Sequence, residues 1–107
     1  MENKEIKAGV KFDQGKPDLS ILSYDALSQI AKAFEFGAKK YGRYNYLSGM
    51  EWMRIAGACL RHVYQFVWVE DNDQESGLCH LAHAGACIVM LLDYFIKGLG
   101  TDNRYKK

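Results

Sequence analysis

Carboxylate and imidazole side chains are concentrated in and just before one stretch of the 107-residue chain, DNDQESGLCHLAHAGACIVMLLDYF at residues 71–95. The groups concerned are four acids followed by two histidines: Glu70, Asp71, Asp73, Glu75, His80 and His83. Residues three apart on a helix share a face, so the two imidazoles can point into one site. Clustered carboxylates suit hard ions such as Mg²⁺, and neighbouring imidazoles can orient a water molecule or contact a phosphate. The stretch therefore indicates a divalent-metal site.

The same residues have a simpler interpretation. Acidic turns commonly precede helices, because negative charge is favoured at a helix N-terminus, and the two histidines can be hydrogen-bonded core residues. Spacing alone favours this simpler interpretation. A zinc site built from His80, His83 and Cys87 is also geometrically possible. It ranks below the other two, because no fourth ligand at suitable spacing is evident.

Basic and aromatic side chains supply a second set of candidate site residues. Five cations are candidates for contacts to phosphate: Lys16, Lys39, Lys40, Arg43 and Arg61. Tyr41, Tyr44 and Tyr46 offer ring faces on which a nucleobase could stack. Considered without the carboxylates, this segment is better explained as a solvent-exposed loop whose tyrosines pack under the helical bundle. Combined with the carboxylates, the cations and rings indicate a nucleotide bound together with its metal.

Three helices are predicted to position these side chains. The first begins after Ser23, a favourable N-cap, and Gly37 is expected to end or kink it. Residues 1–22 are predicted to form an irregular N-terminal arm, in which Ile21 and Leu22 can dock on a core.

The second helix is predicted to cover about residues 50–69, and an acidic turn joins it to the third. Asp73 or Ser76 is expected to cap the third helix, and Gly98 is a good C-terminal stop for it. The polar tail at residues 99–107 is expected to be frayed.

The second and third helices should be antiparallel neighbours, since a short turn joins them. His62 then lies about two turns before their shared end and His80 about one turn after it, so both can converge with Glu70 on one pocket. Apolar residues cover nearly the whole circumference of the third helix. A domain of three helices cannot bury all of this apolar surface, so further copies of the chain are expected to cover it. The predicted fold class is all-α, with residues 23–98 forming a small antiparallel helical bundle assembled as a homo-oligomer.

Composition excludes several classes of function. The formal net charge is only +1, which does not favour binding to a nucleic-acid polymer, because such binding usually needs a basic excess. The longest apolar run is shorter than the ~20 residues that span a bilayer, and the N-terminus lacks the apolar core of a signal peptide. The three cysteines form no C-x-x-C pair and are expected to be reduced thiols. A cytoplasmic protein is therefore expected.

Several of these motifs occur together, in order and at close to a known family's spacing: KFDQGKPDLSIL, FEFGAKKYGRYNY, GMEW, the pair Arg61–His62, and DQESGLCHLAHA. With them the chain resembles the phage-type dATP/dGTP diphosphohydrolases, small relatives of the MazG-like all-α nucleoside triphosphate pyrophosphohydrolases. The resemblance covers roughly residues 10–98. It implies a helical oligomer that cleaves a deoxynucleoside triphosphate to monophosphate and pyrophosphate with Mg²⁺ or Mn²⁺.

The resemblance places the family's signature residues at eleven positions: Lys16, Lys39, Tyr41, Asn45, Arg61, His62, Glu70, Asp73, Glu75, His80 and His83. The roles expected of them follow from the chemistry of the side chains. Metal ligands are expected at Glu70, Asp73 and Glu75, and catalytic groups at Glu75, His80 and His83. Contacts to the nucleotide are expected from eight residues: Lys16, Lys39, Lys40, Tyr41, Arg43, Asn45, Arg61 and His62.

The chain departs from the family pattern at three positions. Ser23 stands where a proline is often found, Tyr46 where a tryptophan is usual, and Cys87 where an asparagine is common. The last change removes an amide hydrogen-bonding group near the expected pocket. The alternative to an enzyme is therefore a non-catalytic protein that sequesters a nucleotide signal in phage–host conflict.

Overall fold

The structure, a computed structural model, describes residues 8–106, and within this range it is all-helical. It contains three α-helices and two short 3-10 helices: α1 at Tyr24–Tyr41, α2 at Trp52–Trp68, α3 at His80–Lys97, and the 3-10 helices at Leu19–Ile21 and Asn45–Ser48. The predicted all-α class is confirmed. The first seven residues of the predicted N-terminal arm lie outside the described residues. Ile21 and Leu22, expected to dock on the core, are instead exposed.

The start of α1 follows the prediction, but its end does not. The Ser23 hydroxyl accepts a hydrogen bond from the Ala26 N–H at 3.1 Å, which confirms Ser23 as the N-cap. Gly37 was expected to end or kink α1. It does not end the helix, which continues to Tyr41 and stops at Gly42. A glycine inside a helix costs only about 1 kcal/mol relative to alanine, and packing of the flanking residues on α3 outweighs that cost.

Helices α2 and α3 run antiparallel, as predicted. Residues with increasing numbers along α2 contact residues with decreasing numbers along α3. The Trp52 ring lies 6.3 Å from the Phe95 ring between centroids, and the Cys59 thiol lies 3.5 Å from the Ala84 carbonyl oxygen. Their contact forms the main core, whose buried members are Ile55, Cys59, Ala84, Cys87 and Tyr94.

Helix α1 packs against α3 through small side chains. Ala33 of α1 and Ala82 and Ala86 of α3 form a second buried cluster. At Gly85 the approach is so close that a Cβ atom would come within 2.7 Å of the Ile30 Cδ1 atom. The small residues therefore bring α1 close enough to α3 to enclose a cavity between them.

By length and composition alone, α3 is the one helix of the described chain that could cross a membrane. The core helix of a soluble protein has the same properties. Here α3 lies between α1 and α2 and buries one side against each of them.

The C-terminal tail is attached to the start of α2, so the expectation that it is frayed is wrong. The Trp52 N–H donates to the Thr101 carbonyl oxygen at 2.9 Å, and the Thr101 N–H donates to the Met50 carbonyl oxygen at 3.1 Å. The Asn103 side chain accepts from the Met53 N–H at 3.0 Å. The tail thus satisfies N–H groups that the first turn of a helix leaves without partners. Gly100 is required there, because a Cβ atom would collide with the Met50 carbonyl oxygen.

Tyr94→Phe is expected to destabilise the fold by about 1–3 kcal/mol, because it leaves a buried acceptor without its donor. Tyr94 is completely buried, and its hydroxyl donates to the Tyr46 carbonyl oxygen at 2.6 Å. The free energy of unfolding from urea titration measures the effect. The matched control is Tyr64→Phe at an exposed position of α2, expected within about 0.5 kcal/mol of wild type. Equal stability of the two variants would contradict the assignment.

Candidate active site

Backbone hydrogen bonds close the acidic turn between α2 and α3. The Asp73 N–H donates to the Leu78 carbonyl oxygen at 2.8 Å, the Gly77 N–H to the Asp73 carbonyl oxygen at 2.8 Å, and the His80 N–H to the Asp71 carbonyl oxygen at 2.9 Å. Cys79 is the N-cap of α3 and makes no capping bond with its side chain. The prediction that Asp73 or Ser76 caps α3 is therefore wrong.

The side chains of Asp73 and Ser76 instead organise the turn itself. The Asp73 carboxylate accepts from the Ser76 N–H at 2.9 Å. The Ser76 hydroxyl accepts from the Leu78 N–H at 3.1 Å and lies 2.6 Å from the His83 Nε2 atom. Since its oxygen is already an acceptor, the hydroxyl proton is free to be donated to His83. The turn is thereby tied to the second turn of α3.

The three histidines of the chain form one cluster, as the sequence predicted for the pocket at the shared end of α2 and α3. The His62 Nδ1 atom lies 2.9 Å from the His80 Nδ1 atom. The His62 ring stacks on His83 with 4.8 Å between centroids and 17° between planes. Glu70 completes the cluster, with its Oε2 atom 3.1 Å from the His80 Nε2 atom. His80 is only 3% exposed, so both its ring nitrogens are committed to partners inside the protein.

A cavity of about 300 Å³ opens beside this cluster, between α1, the segment after it and α3. One side carries polar groups and the other is apolar and aromatic. Eight of the residues predicted for the site line it: Lys40, Tyr41, Arg43, Asn45, His62, Asp73, Glu75 and His83. Phe34, Phe36, Tyr46 and Met50 form much of the apolar wall.

The remaining predicted residues lie elsewhere. A groove on the outer side of His62 is lined by Glu70, Arg61 and His80. This groove also reaches Asp73 and Glu75. Lys39 lines a separate surface groove. Lys16 lies in an exposed turn of the arm, outside these grooves. The structure thus brings together all the predicted residues except Lys16 and Lys39.

The predicted metal ligands have different environments. Glu75 is exposed and pairs with Lys40 across the cavity, with 2.8 Å between its Oε2 atom and Nζ. Glu70 faces His80. Asp73 lies closest to the imidazoles, since one ligand atom each of His62, Asp73 and His80 falls within 4.8 Å of the others. Among the described residues this is the one group of three or more His, Cys, Asp or Glu so arranged.

Burial and mutual repulsion hold two of the imidazoles neutral near pH 7. Burial lowers the pKa of His62, and the positive charge that His83 and His80 would carry lowers it further. Burial also lowers the pKa of His83, although the Asp73 carboxylate opposes this. Neutral imidazoles keep a lone pair available for a proton or a cation.

The two carboxylates nearest the imidazoles stay ionised. The Gln74 amide and then His80 donate to Glu70 and lower its pKa. Burial would raise the pKa of Asp73, but the hydrogen bond from the Ser76 backbone N–H and the nearby histidines outweigh it, so the net shift is downward. The site therefore combines carboxylate anions with neutral imidazoles.

Cys87 lines the cavity but is a core residue. It is buried, and burial raises the pKa of its thiol to about 11. Among the described residues, neither Cys87 nor His83 belongs to the group of ligand atoms that come close enough together for a metal ion, so the structure does not favour the zinc site of His80, His83 and Cys87. The cysteine does take a position at the cavity wall where the family commonly has an amide.

Sequence reasoning missed two features of the site. The bond between Ser76 and His83 was not anticipated, although a serine seven residues before a helical histidine is compatible with it. The apolar wall was also missed, because Phe34 resembles an ordinary core residue of α1 and Phe36 carries no pattern of its own. The cavity appears only when α1 is placed on α3.

The pKa shifts predict how stability depends on pH. His62 and His83 have pKa values below their ordinary 6.5 in the folded protein, so below pH 6.5 the unfolded chain binds more protons. Their contribution to stability is fully present above pH 6.5 and is lost as pH falls through the folded pKa values. Glu70 and Asp73 add a loss only below about pH 4.5.

The urea midpoint is therefore expected to fall between pH 7.5 and 5.5, and less steeply in the double variant His62→Gln/His83→Gln. Circular dichroism at pH 7.5, 6.5 and 5.5 measures it. An unchanged slope in the double variant would show that other groups cause the loss.

Comparisons with known proteins identify the family of the chain. Residues 7–104 match the family model described as "dATP/dGTP diphosphohydrolase, N-terminal". A dATP/dGTP diphosphohydrolase of Salmonella phage PMBT28 is 37% identical over 83 residues, which are 78% of this chain and 28% of that protein. The chain thus spans well under half the length of this relative. No solved structure matches the chain. With a family model covering nearly all of its length, the chain belongs to the dATP/dGTP diphosphohydrolase N-terminal family.

Proposed function

We propose that this chain is a metal-dependent pyrophosphohydrolase that converts a purine deoxynucleoside triphosphate into its monophosphate and pyrophosphate. The observation that carries the proposal is a cavity at which carboxylates, imidazoles, cations and aromatic rings meet. Membership of the family supports the reaction type, and the phage relative is named for dATP and dGTP. In this reaction a water oxygen bonds to phosphorus, one phosphoanhydride bond breaks and pyrophosphate leaves.

The cavity suits part of a nucleotide. Its volume of about 300 Å³ is at the lower end for ligand sites, enough for a base and part of the sugar. Phe36 and Tyr46 offer aromatic surface for the base. Lys40 and Arg43, exposed at the edge, are placed to bind phosphate oxygens outside the cavity.

Donor groups in and beside the cavity also fit a divalent cation. Asp73 is ionised and lies beside His62 and His80, two imidazoles whose Nδ1 atoms face each other. A cation bound there would neutralise charge on the triphosphate and lower the pKa of a water molecule. Of the other predicted metal ligands, Glu70 is hydrogen-bonded to His80 and Glu75 is paired with Lys40.

The histidines are proposed to have different roles. His83 lines the cavity, is neutral near pH 7 and is oriented by Ser76. Because the Ser76 hydroxyl occupies the lone pair of its Nε2 atom, the Nδ1–H of His83 is suited to position an attacking water molecule or to contact a phosphate oxygen. His80 is buried between Glu70 and His62, so it would hold the cation rather than contact the nucleotide. Lys40 and Glu75 have to exchange partners when phosphate enters, because they now bond to each other.

Hydrolysis of dGTP and dATP to the monophosphate and pyrophosphate is the expected outcome of incubating the protein with a panel of nucleoside triphosphates and Mg²⁺ or Mn²⁺. Products are resolved by ion-exchange chromatography. Recovery of intact nucleotide after denaturing the protein would instead indicate sequestration and contradict the proposal.

Substitutions at the cavity are expected to reduce turnover without a comparable loss of stability. Asp73→Asn should lower kcat/KM by 100-fold or more, as loss of electrostatic stabilisation typically does. Lys40→Met should raise KM for the triphosphate, because it removes a phosphate contact. The matched controls are Asp71→Asn in the same turn and Lys32→Met on the exposed side of α1. Wild-type kinetics in Asp73→Asn would contradict the proposed site.

We also propose that the chain assembles with copies of itself. One face of α3 exposes large apolar side chains, including Ile88, Leu92, Phe95 and Ile96, each more than half exposed. Exposed apolar patches of this kind commonly mark interfaces. Light scattering over a dilution series is expected to give a mass well above the 12.2 kDa of one chain. A stable monomer at micromolar concentration would contradict the proposal.

A further inference from the structure

We propose that His62, Asp73 and His80 form the binding site of a transition-metal dication, and that Glu70 is a positioning residue that orients His80 for it. The binding itself is independent of hydrolysis, and only its catalytic use rests on the proposed function. The site differs from the oxygen-only set Glu70, Asp73 and Glu75 that the sequence predicted.

Three separate segments bring the ligand atoms together. His62 comes from the C-terminal half of α2, Asp73 from the acidic turn, and His80 is the first residue of α3. One ligand atom of each lies within 4.8 Å of the other two. Metal–nitrogen and metal–oxygen bonds of about 2.0–2.2 Å keep the ligand atoms of one ion within about 4 Å of each other. The site therefore needs to contract by less than about 1 Å.

Glu70 determines which nitrogen of His80 faces the metal position. A carboxylate only accepts hydrogen bonds, so the His80 Nε2 atom, 3.1 Å from Glu70 Oε2, carries a proton. In the neutral tautomer with this proton, the His80 Nδ1 atom has the lone pair, and this atom faces His62. A carboxylate on the outer nitrogen of a metal-binding histidine is a recurrent arrangement, because it fixes the tautomer and makes the ligand more basic.

The contact between the two imidazoles marks the position of the ion. The Nδ1 atoms of His62 and His80 are 2.9 Å apart, and since the His80 Nδ1 atom is a lone pair, His62 carries the proton between them. The two nitrogens are already close to the separation of about 3 Å that neighbouring ligands of one ion adopt. For a dication to take the place of that proton, the His62 Nδ1 proton passes to solvent and the Nε2 atom of the same ring takes one up, so the ring stays neutral and its lone pair moves to Nδ1. The ion would then gain the nearby Asp73 carboxylate as a third ligand.

The donor set selects the class of metal. Two imidazoles and one carboxylate suit Mn²⁺, Fe²⁺, Co²⁺ and Zn²⁺, whereas Mg²⁺ prefers oxygen ligands and keeps several waters. Three protein ligands leave coordination positions for water and a phosphate oxygen. The groove on the outer side of His62 gives access to the site, and it is lined by Arg61, which can contact an anion.

The test is a titration of the metal-free protein with Co²⁺, followed by visible absorption, together with melting temperatures in Mn²⁺, Co²⁺, Zn²⁺ and Mg²⁺. Co²⁺ is expected to give ligand-field bands that change as its water ligands are replaced by imidazole. Co²⁺ and Zn²⁺ should raise the melting temperature at concentrations at least 100-fold below those at which Mg²⁺ does. Equal stabilisation by Mg²⁺ and Co²⁺ would overturn the proposal.

Variants assign the ligands. His62→Gln and Asp73→Asn are expected to abolish the Co²⁺ bands, and Asp71→Asn, which removes the same charge from the same turn, is expected to retain them. Glu70→Gln should weaken Co²⁺ binding by about 10–100-fold without abolishing it, as loss of an orienting partner does. His62 is half-buried, so its variant is expected to fold, and circular dichroism checks this.

Wild-type Co²⁺ affinity in folded His62→Gln would overturn the site. Co²⁺ binding with the expected variant pattern, but without hydrolysis of any triphosphate, would support the site and overturn the proposed function instead.

Discussion

The contact between His62 and His80 is the constraint on which the geometry of the site depends. It joins α2 to the first residue of α3 across 2.9 Å, inside a protein region that excludes nearly all water from His80. A buried polar group without a partner costs about 1–3 kcal/mol, so the register of the two helices must keep both imidazoles and Glu70 in place. Stacking of His83 on His62 extends this constraint to the cavity.

Repulsion among the carboxylates of the acidic turn is weaker than the composition of the turn indicates. Three of the four carboxylates have partners of their own: Glu70 faces His80, Glu75 pairs with Lys40 of α1, and Asp73 accepts from the Ser76 backbone. Repulsion among the acids is thereby offset by contacts to three different parts of the chain. The same contacts connect α1, α2 and α3 at the end of the bundle where the cavity opens.

The sequence predicted the helices and their convergence, because those follow from local patterns. Apolar periodicity and the short turn place α2 and α3 antiparallel, and this alone brings His62 near His80. The end of α1 was mispredicted at Gly37, where tertiary packing outweighs a weak local preference. The docked tail was mispredicted too, since nothing local in TDNRYKK reveals that its backbone pairs with the start of α2.

The details of the site were predictable only in part. Residue types and the family motifs identified the acids, histidines and most of the cations. Which partner each acid takes depends on side-chain positions set by all three helices, so Glu70 and Glu75 could not be distinguished as metal ligands by spacing. Lys16 and Lys39 were expected at the site for their charge, and they lie away from it because the direction of a side chain is fixed by the fold.

The backbone hydrogen bonds that close the acidic turn have a consequence for the thermodynamics of binding. Fixing the backbone of one residue costs about 1–2 kcal/mol of conformational entropy. Between Asp71 and His80 the chain has already met that cost on folding, through bonds from the N–H groups of Asp73, Gly77 and His80. A ligand that contacts Asp73 therefore does not have to order the segment that carries it. More of the interaction energy remains available as affinity, and association is not slowed by closure of a loop.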